Sequence, residues 1–421
     1  MSDDLPTADK LGLPQQSLLT EPMRRQPVPG WTVEAADLGL QTKDRIRFSP
    51  IGNDGDRALF LAMTVQEAWV IGIDVGSGHK LFEPVWLGNH GSAEALLATV
   101  CHLNGASMVL CLREDPLAKP PARAWVIDTA TGELIYDGPT ELRQSQTDGH
   151  PILQRLGDHL VALVDGQGVH GIGERAELTW HVIGTGSLTY PDDDSDVAPP
   201  DLAVQSRLRE PDVVFSVADG TVLTPAIPAG EQVRRAAVYP GGFAYELARD
   251  HSTGAGIAFF DDKGRQTGRL DGEAKLLTGS EALPMAQLAN QDQILSVTGT
   301  PLLSLPKSTL LPYTRLAGTT LLVSTDEEHS AWQQFDLRSG DSGVTCNNEA
   351  LWYSYIGSSG DIVLTGGGRT PVLAQAIDLT TCETLWTLPG STESEAKDLW
   401  RVNETLILRV NNQLSSLVSP D

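Results

Sequence analysis

Apolar positions in this chain come in short runs, alternating or wholly apolar, broken by clusters of Gly, Pro, Asn and Asp. Runs of about four to eight residues bounded this way read as strands. One phrase returns along the chain. Its first clear copy is Trp69-Val70-Ile71-Gly72-Ile73-Asp74-Val75-Gly76-Ser77-Gly78. Trp125-Val126-Ile127-Asp128-Thr129-Ala130-Thr131-Gly132 repeats it, as do Phe335-Asp336-Leu337-Arg338-Ser339-Gly340 and Ala376-Ile377-Asp378-Leu379-Thr380-Thr381-Cys382. Each copy is an apolar strand, an Asp, a turn closed by Gly or its substitute, and another strand. Such a unit cannot bury its faces alone, so copies must stack. Helical periodicity is nearly absent; the best candidate, 92–99, is short and equally compatible with a strand.

Repeat marks fall near residues 74, 128, 261, 336 and 378, with weaker ones near Asp219-Gly220 and Gly299-Thr300-Pro301. The gap between 140 and 230 holds one or two units. A spacing of about 40–50 residues fits four short strands per propeller blade. The expected fold is an all-β propeller of four-stranded blades, quinoprotein- or WD-like. Seven blades are favoured over eight, the weak units being taken as not all complete. Three strand candidates end the chain, within Leu399–Val402, Thr405–Val410 and Gln413–Val418. Trp31–Ala35 resembles the outer strand of other repeats, such as Thr384–Leu388. It is expected to complete the C-terminal blade and close the ring, leaving no long open sheet edge. Residues 1–26, polar and Pro-containing, are expected as a flexible tail, and 27–421 as a single propeller domain.

The chain has 421 residues, with 55 acidic and 30 basic side chains and a formal charge of −25. That balance disfavours nucleic acid, whose phosphates are bound through Lys and Arg, and docking on an anionic membrane by charge alone. No run of about 18 apolar residues reads as a transmembrane helix, and Met1-Ser2-Asp3-Asp4 opens no signal peptide. The expectation is a cytosolic protein or an excised domain lacking its own membrane anchor. Four cysteines bear on that choice. Cys101 and Cys111 flank the hairpin signal Asn104-Gly105, and Cys346 and Cys382 lie about one repeat apart. Two disulfides would indicate an oxidising compartment; four separate buried thiols are the alternative. No metal-binding spacing of Cys or His is present.

Several local motifs favour structural readings. Gly340-Asp341-Ser342-Gly343 resembles a serine-protease nucleophile box, but it follows a repeat mark where a turn is expected. Asp192-Asp193-Asp194-Ser195-Asp196 lacks the Gly and Glu of an EF-hand loop, having Val197 and Ala203 there, and reads as a solvated loop. Gly168–Gly173 has no helix after it to receive a phosphate and reads as a hairpin turn. Asn403-Glu404-Thr405 matches a glycosylation acceptor at chance frequency. Trp69, Trp125 and Trp332 precede repeat marks and read as packing between blades. Trp86, Trp352, Tyr353, Tyr355 and Trp400 are placed less regularly.

Asp128–Tyr136 and Asp378–Trp386 carry a pattern that resembles the repeat of quinoprotein-type propellers. The adjacent cysteines usual in quinone dehydrogenases are absent, so that activity is not expected. Pro27–Val33, the segment Asp74–Trp86 and the two cysteine pairs resemble the periplasmic glycolipid factor A family of mycobacteria. That resemblance implies an inner-membrane anchor, a periplasmic propeller, binding of trehalose monomycolate, and partnership with the mycolate lipid exporter. On this reading the protein is a non-catalytic envelope carrier without a cofactor. Candidate ligand contacts are Trp352, Tyr353, Tyr355, Trp400, Arg401 and Asp192, chosen by loop position and by the chemistry of sugar stacking and hydroxyl binding. The rivals are a protein scaffold, like the propeller lipoprotein that supports outer-membrane barrel insertion, and a sugar-active enzyme using paired carboxylates.

Overall fold

The computed structural model describes residues 6–420 apart from 90–98, 115–121, 145–149, 192–195, 208–209, 251–252, 278–281, 308–312, 367–371 and 393. The helix-or-strand candidate at 92–99 thus lies, apart from Thr99, outside the described residues.

Among the described residues the strands form nine four-stranded sheets. In chain order the first eight span 47–89, 99–139, 152–183, 188–223, 232–271, 275–306, 314–347 and 355–389. The ninth combines Lys397–Val402, Thr405–Val410 and Gln413–Val418 with the N-terminal strand Val28–Glu34. The expectation of seven or eight blades is corrected to nine. The gap between 140 and 230 holds two complete sheets, and the weak marks at Asp219 and Gly299 also belong to complete ones. They were hard to read because their strands are short: Leu188–Thr189 and Val222–Leu223 have two residues each. The third sheet also lacks the Asp mark; its turn runs through Gly173–Glu177.

The repeated phrase sits at the turn between the third and fourth strands of its sheet. The Asp carboxylate accepts backbone N–H groups two to four residues on, as Asp74 does from Ser77 (2.8 Å), Asp219 from Thr221 (3.0 Å) and Asp261 from Lys263 (3.0 Å) and Arg265 (2.9 Å). This local turn satisfies amides that no ladder reaches. The Ser77 and Thr131 hydroxyls also hold the Asp74 and Asp128 carboxyls below the usual carboxylate range. Gly168–Ile172, expected as a turn, is itself a strand, and the turn lies just before it.

The packing resolves into two compact units. One comprises Met1–Leu18, Val182–Gly368 and Ala376–Leu385; the other comprises Leu19–His181, Arg369–Gln375 and Trp386–Asp421. In each unit the core lies between consecutive sheets. In the second unit, Phe48 and Phe60 of the first sheet pack with Ile407 and Leu414 of the ninth. Leu61 and Val70 of the first sheet pack with Cys111 and Trp125 of the second. In the first unit, Val204 and Val214 of the fourth sheet meet Phe243 and Phe260 of the fifth. Trp332 and Leu322 of the seventh pack with Val363 and Ile377. Trp125 (2% exposed) and Trp332 (0%) are interior, and Trp69 is half-buried against the ninth-sheet cluster, as packing between blades requires.

Val28–Glu34 pairs antiparallel with Gln413–Val418, from Val28 opposite Val418 to Glu34 opposite Gln413. The indole Nε1 of Trp31 donates to the Val75 carbonyl (2.7 Å), tying this strand to the first repeat turn. Residues 6–26 differ from the flexible tail expected of them. Leu13, Leu19 and Met23 are buried, Gln16 exchanges two side-chain hydrogen bonds with Gly318, and the Met23 carbonyl accepts from the Trp386 indole (2.9 Å). Sparse apolar residues without periodicity suffice here because the segment packs and hydrogen-bonds against residues of the sheets.

Candidate functional site

Both disulfides form: Cys101–Cys111 across the hairpin of the second sheet, with Cα atoms 4.0 Å apart, and Cys346–Cys382, with Cα atoms 5.3 Å apart. No free cysteine is left. Cys101 and Cys111 are direct cross-strand partners in the ladder, the geometry that the Asn104-Gly105 turn sets up. Cys382 stands at the glycine position of its repeat turn with φ +59°.

The residues chosen as ligand contacts fall in two places. Trp352 and Tyr355 lie in the first unit. Tyr355 donates to Asp196 (2.6 Å), which also accepts from the Ser358 amide (3.1 Å) and hydroxyl (2.5 Å). The Arg315 guanidinium lies 4.8 Å from the Tyr355 ring centre and donates to the Leu351 and Trp352 carbonyls. Burial, the Asp196 charge and the hydrogen bond to it push the Tyr355 hydroxyl well above its ordinary range. Asp196 is 2% exposed, so this end of the acidic run is a buried anchor, unlike the solvated loop expected of it. Trp352 packs edge-on against Tyr313 (4.1 Å between ring centres) and lies 4.1 Å from the His329 ring. Asp192 and the Tyr353 side chain lie outside the described residues.

Trp400 and Arg401 lie in the second unit, on the edge strand Lys397–Val402 of the ninth sheet. Trp400 packs on Phe60 (5.6 Å between centres), and Arg401 donates to the Asn403 carbonyl (2.8 Å). Among the described residues, no group of three or more His, Cys, Asp or Glu side chains is placed to hold a metal ion.

An open cavity of about 540 Å³ lies at the edge of the ninth sheet, lined by Glu34, Lys43, Arg45, Ser394, Val410, Asn411, Asn412 and Gln413. Its floor is the tight turn between the last two strands. Asn412 clamps the incoming segment there, accepting from the Ile46 amide (2.8 Å) and donating to the Asp44 carbonyl (3.1 Å). Arg409, 6% exposed, donates to the Ile46 carbonyl (3.0 Å) and pairs with Asp398 (2.6 Å). The sequence reading missed this cluster. Its signal was Lys43-Asp44-Arg45-Ile46-Arg47, a cation at every second position of a strongly acidic chain.

A different feature marks the fourth strands of several sheets, which leave large apolar side chains in solvent. Trp86 is 51% exposed, Ile135 41% and Ile183 69%.

Residues 3–420 match the model of a conjugation-associated nine-bladed β-propeller domain. The chain belongs to this family. The family's blade number agrees with the nine sheets. An uncharacterized protein of Mycolicibacterium smegmatis (strain MKD8) is 35% identical over 431 aligned positions, covering 97% of this chain and 88% of its own length. Among solved structures, the designed protein Ika8 aligns with a TM-score of 0.38 at 12% identity, over 76% of this chain and 96% of its own. BamB from Moraxella catarrhalis aligns with a TM-score of 0.36 at 10% identity, over 93% and 98%.

Proposed function

We infer that this protein is a non-catalytic, protein-binding propeller that works outside the cytoplasm within a conjugation-associated assembly, its ring closed by the N-terminal strand. The observation that carries the reading is Trp86, 51% exposed on an edge strand of its sheet. A solvent-exposed tryptophan beside an open strand edge is the type of residue that anchors protein interfaces, and an outer strand offers backbone groups to an added strand. Family membership supports the assembly. The two disulfides support the compartment, because such bonds persist where thiols are not kept reduced.

The test is photo-crosslinking from position 86 in cells, with an equivalent probe at exposed Lys263 as control. A discrete adduct formed from position 86 alone supports the reading. Equal, diffuse labelling from both positions counts against it.

A second reading, an envelope carrier of trehalose monomycolate working with the mycolate exporter and anchored at the inner membrane, draws on the mycobacterial source of the 35% identical relative. Native mass spectrometry before and after incubation with envelope lipid separates the two. A bound species of glycolipid mass favours the carrier, and an unchanged mass favours the scaffold.

A further inference from the structure

The segment 43–47 places Lys43, Arg45 and Arg47 at alternate positions, all exposed, while Ile46 between them is fully buried. The chain bends at Lys43 and Asp44 before the strand that begins at Arg47, and Lys43 and Arg45 both line the cavity. Among the described residues, no hydrogen-bond or ion-pair partner holds their side chains. Elsewhere arginines are engaged, for example Arg123 with Asp137, Arg269 with Glu231 and Arg338 with Asp336.

The carboxylates beside the cavity are mostly committed. Glu34 accepts from Gln413 Nε2 (2.8 Å), and Asp398 is held by Arg409. Glu395, next to Ser394, pairs with Lys397, and Asp44 lies within the run itself. The buried Nε of Arg409 has no partner. Burial holds the Arg409 guanidinium below its usual range; Asp398 opposes this, and Arg45 and Arg47 add to it. Crowded like charges with free donors, beside an open cavity of about 540 Å³, form an arrangement that an anion would relieve.

We propose that this cavity is a phosphate-binding site, with Lys43 and Arg45 as direct contacts and Arg47 and Arg409 supplying the surrounding positive field. A phosphate group matches better than a lone carboxylate. It carries up to about two charges and three acceptor oxygens, and guanidinium forks bind it in pairs of hydrogen bonds. The phosphate could arrive free or on a lipid headgroup, and the two sources are separable by experiment.

Calorimetry with inorganic phosphate, and co-sedimentation with vesicles of phosphatidylglycerol and phosphatidylcholine against phosphatidylcholine alone, would be run on the whole chain. Its Lys43→Gln/Arg45→Gln variant and a control Arg249→Gln, an exposed arginine of the other unit, are compared. Saturable phosphate binding weakened about tenfold or more in the double variant, and unchanged in the control, supports the site as one for free phosphate. Vesicle binding with the same variant pattern supports it with the headgroup as source. No saturable binding of either kind overturns the proposal, as does binding that the double variant leaves intact. The substitutions are on exposed side chains, and an unchanged melting curve shows that the variant is folded. Protein capture at Trp86 is read out separately, so either inference can fail without the other.

Discussion

The turn after Asp128 and the turn after Asp378 are one backbone device finished in two ways. In both, the Asp carboxylate accepts the amide two residues on (2.9 Å to Ala130, 2.8 Å to Thr380). In both, its own amide donates five residues ahead, to Glu133 (2.9 Å) and Glu383 (3.0 Å). In both, the fifth residue is left-handed, at φ +72° for Gly132 and +59° for Cys382. At Gly132 the missing side chain is used by a neighbour: the Phe82 ring lies where a Cβ would be, 2.4 Å from its Cδ2 atom. At Cys382 the side chain is kept in a backbone region costly for an L-residue and is linked to Cys346. The strain is about 1–2 kcal/mol. The cross-link, closing a loop with a sequence separation of 36, is worth about 4 kcal/mol in the chain-entropy account. The same turn thus holds its sheet to a neighbour by aromatic packing in one case and by a covalent bond in the other.

The largest effect should come from breaking the covalent version. Cys346→Ala with Cys382→Ala should lower unfolding free energy in urea by about 4 kcal/mol. Cys346→Ala with Cys382→Gly should recover about 1 kcal/mol of that, since glycine accepts the left-handed turn. If the alanine and glycine versions melt alike, the left-handed turn is not under strain.

Acid should act on the sheet of the aromatic version. His102, beside Cys101, is held by burial, and by the Arg155 charge, at about 4. A depressed histidine pKa means the unfolded chain binds the proton first. Its stability contribution is therefore full above pH 6.5 and falls away toward pH 4. Across that window wild type should lose roughly 2–3 kcal/mol more than His102→Gln. Hydrogen exchange localised to 99–139 reads this directly, and parallel pH profiles for the two proteins would refute it.

Gly132→Ala should cost about 2 kcal/mol, from the positive φ and the contact with Phe82. Adding Phe82→Leu should return part of it, and a double variant no better than additive would show that the ring is not the obstacle. Asp128→Ala should cost about 1 kcal/mol, since Ala130 and Thr131 lose their acceptor in a turn exposed to water. Thermal melts suffice for both.

Much of the repeat was legible because its causes lie within a few residues. Alternation marks strands, and Asp followed by Gly marks the turn. Even the Cys101–Cys111 bond follows from one hairpin. The blade count was harder, because sheets with two-residue strands or an altered turn carry no periodic signal, although their cores are complete. The Tyr355 contact with Asp196, 159 positions apart, had no local signature, so Tyr355 was offered as a ligand contact although its hydroxyl is already engaged.

By itself, then, the chain determined the all-β repeat, many of its turns, the hairpin that brings Cys101 and Cys111 near each other, and a strand at Trp31–Ala35, which the structure places at Val28–Glu34, all through short-range sterics, hydrogen bonding and hydrophobic period. Only the tertiary structure decided that nine sheets form, that Asp196 is an interior anchor, and that Arg409 lies within electrostatic reach of Arg45 and Arg47. Those outcomes depend on groups far apart in the chain, brought together by sheet-on-sheet burial whose strength grows with the apolar area removed from water and is nearly blind to sequence separation.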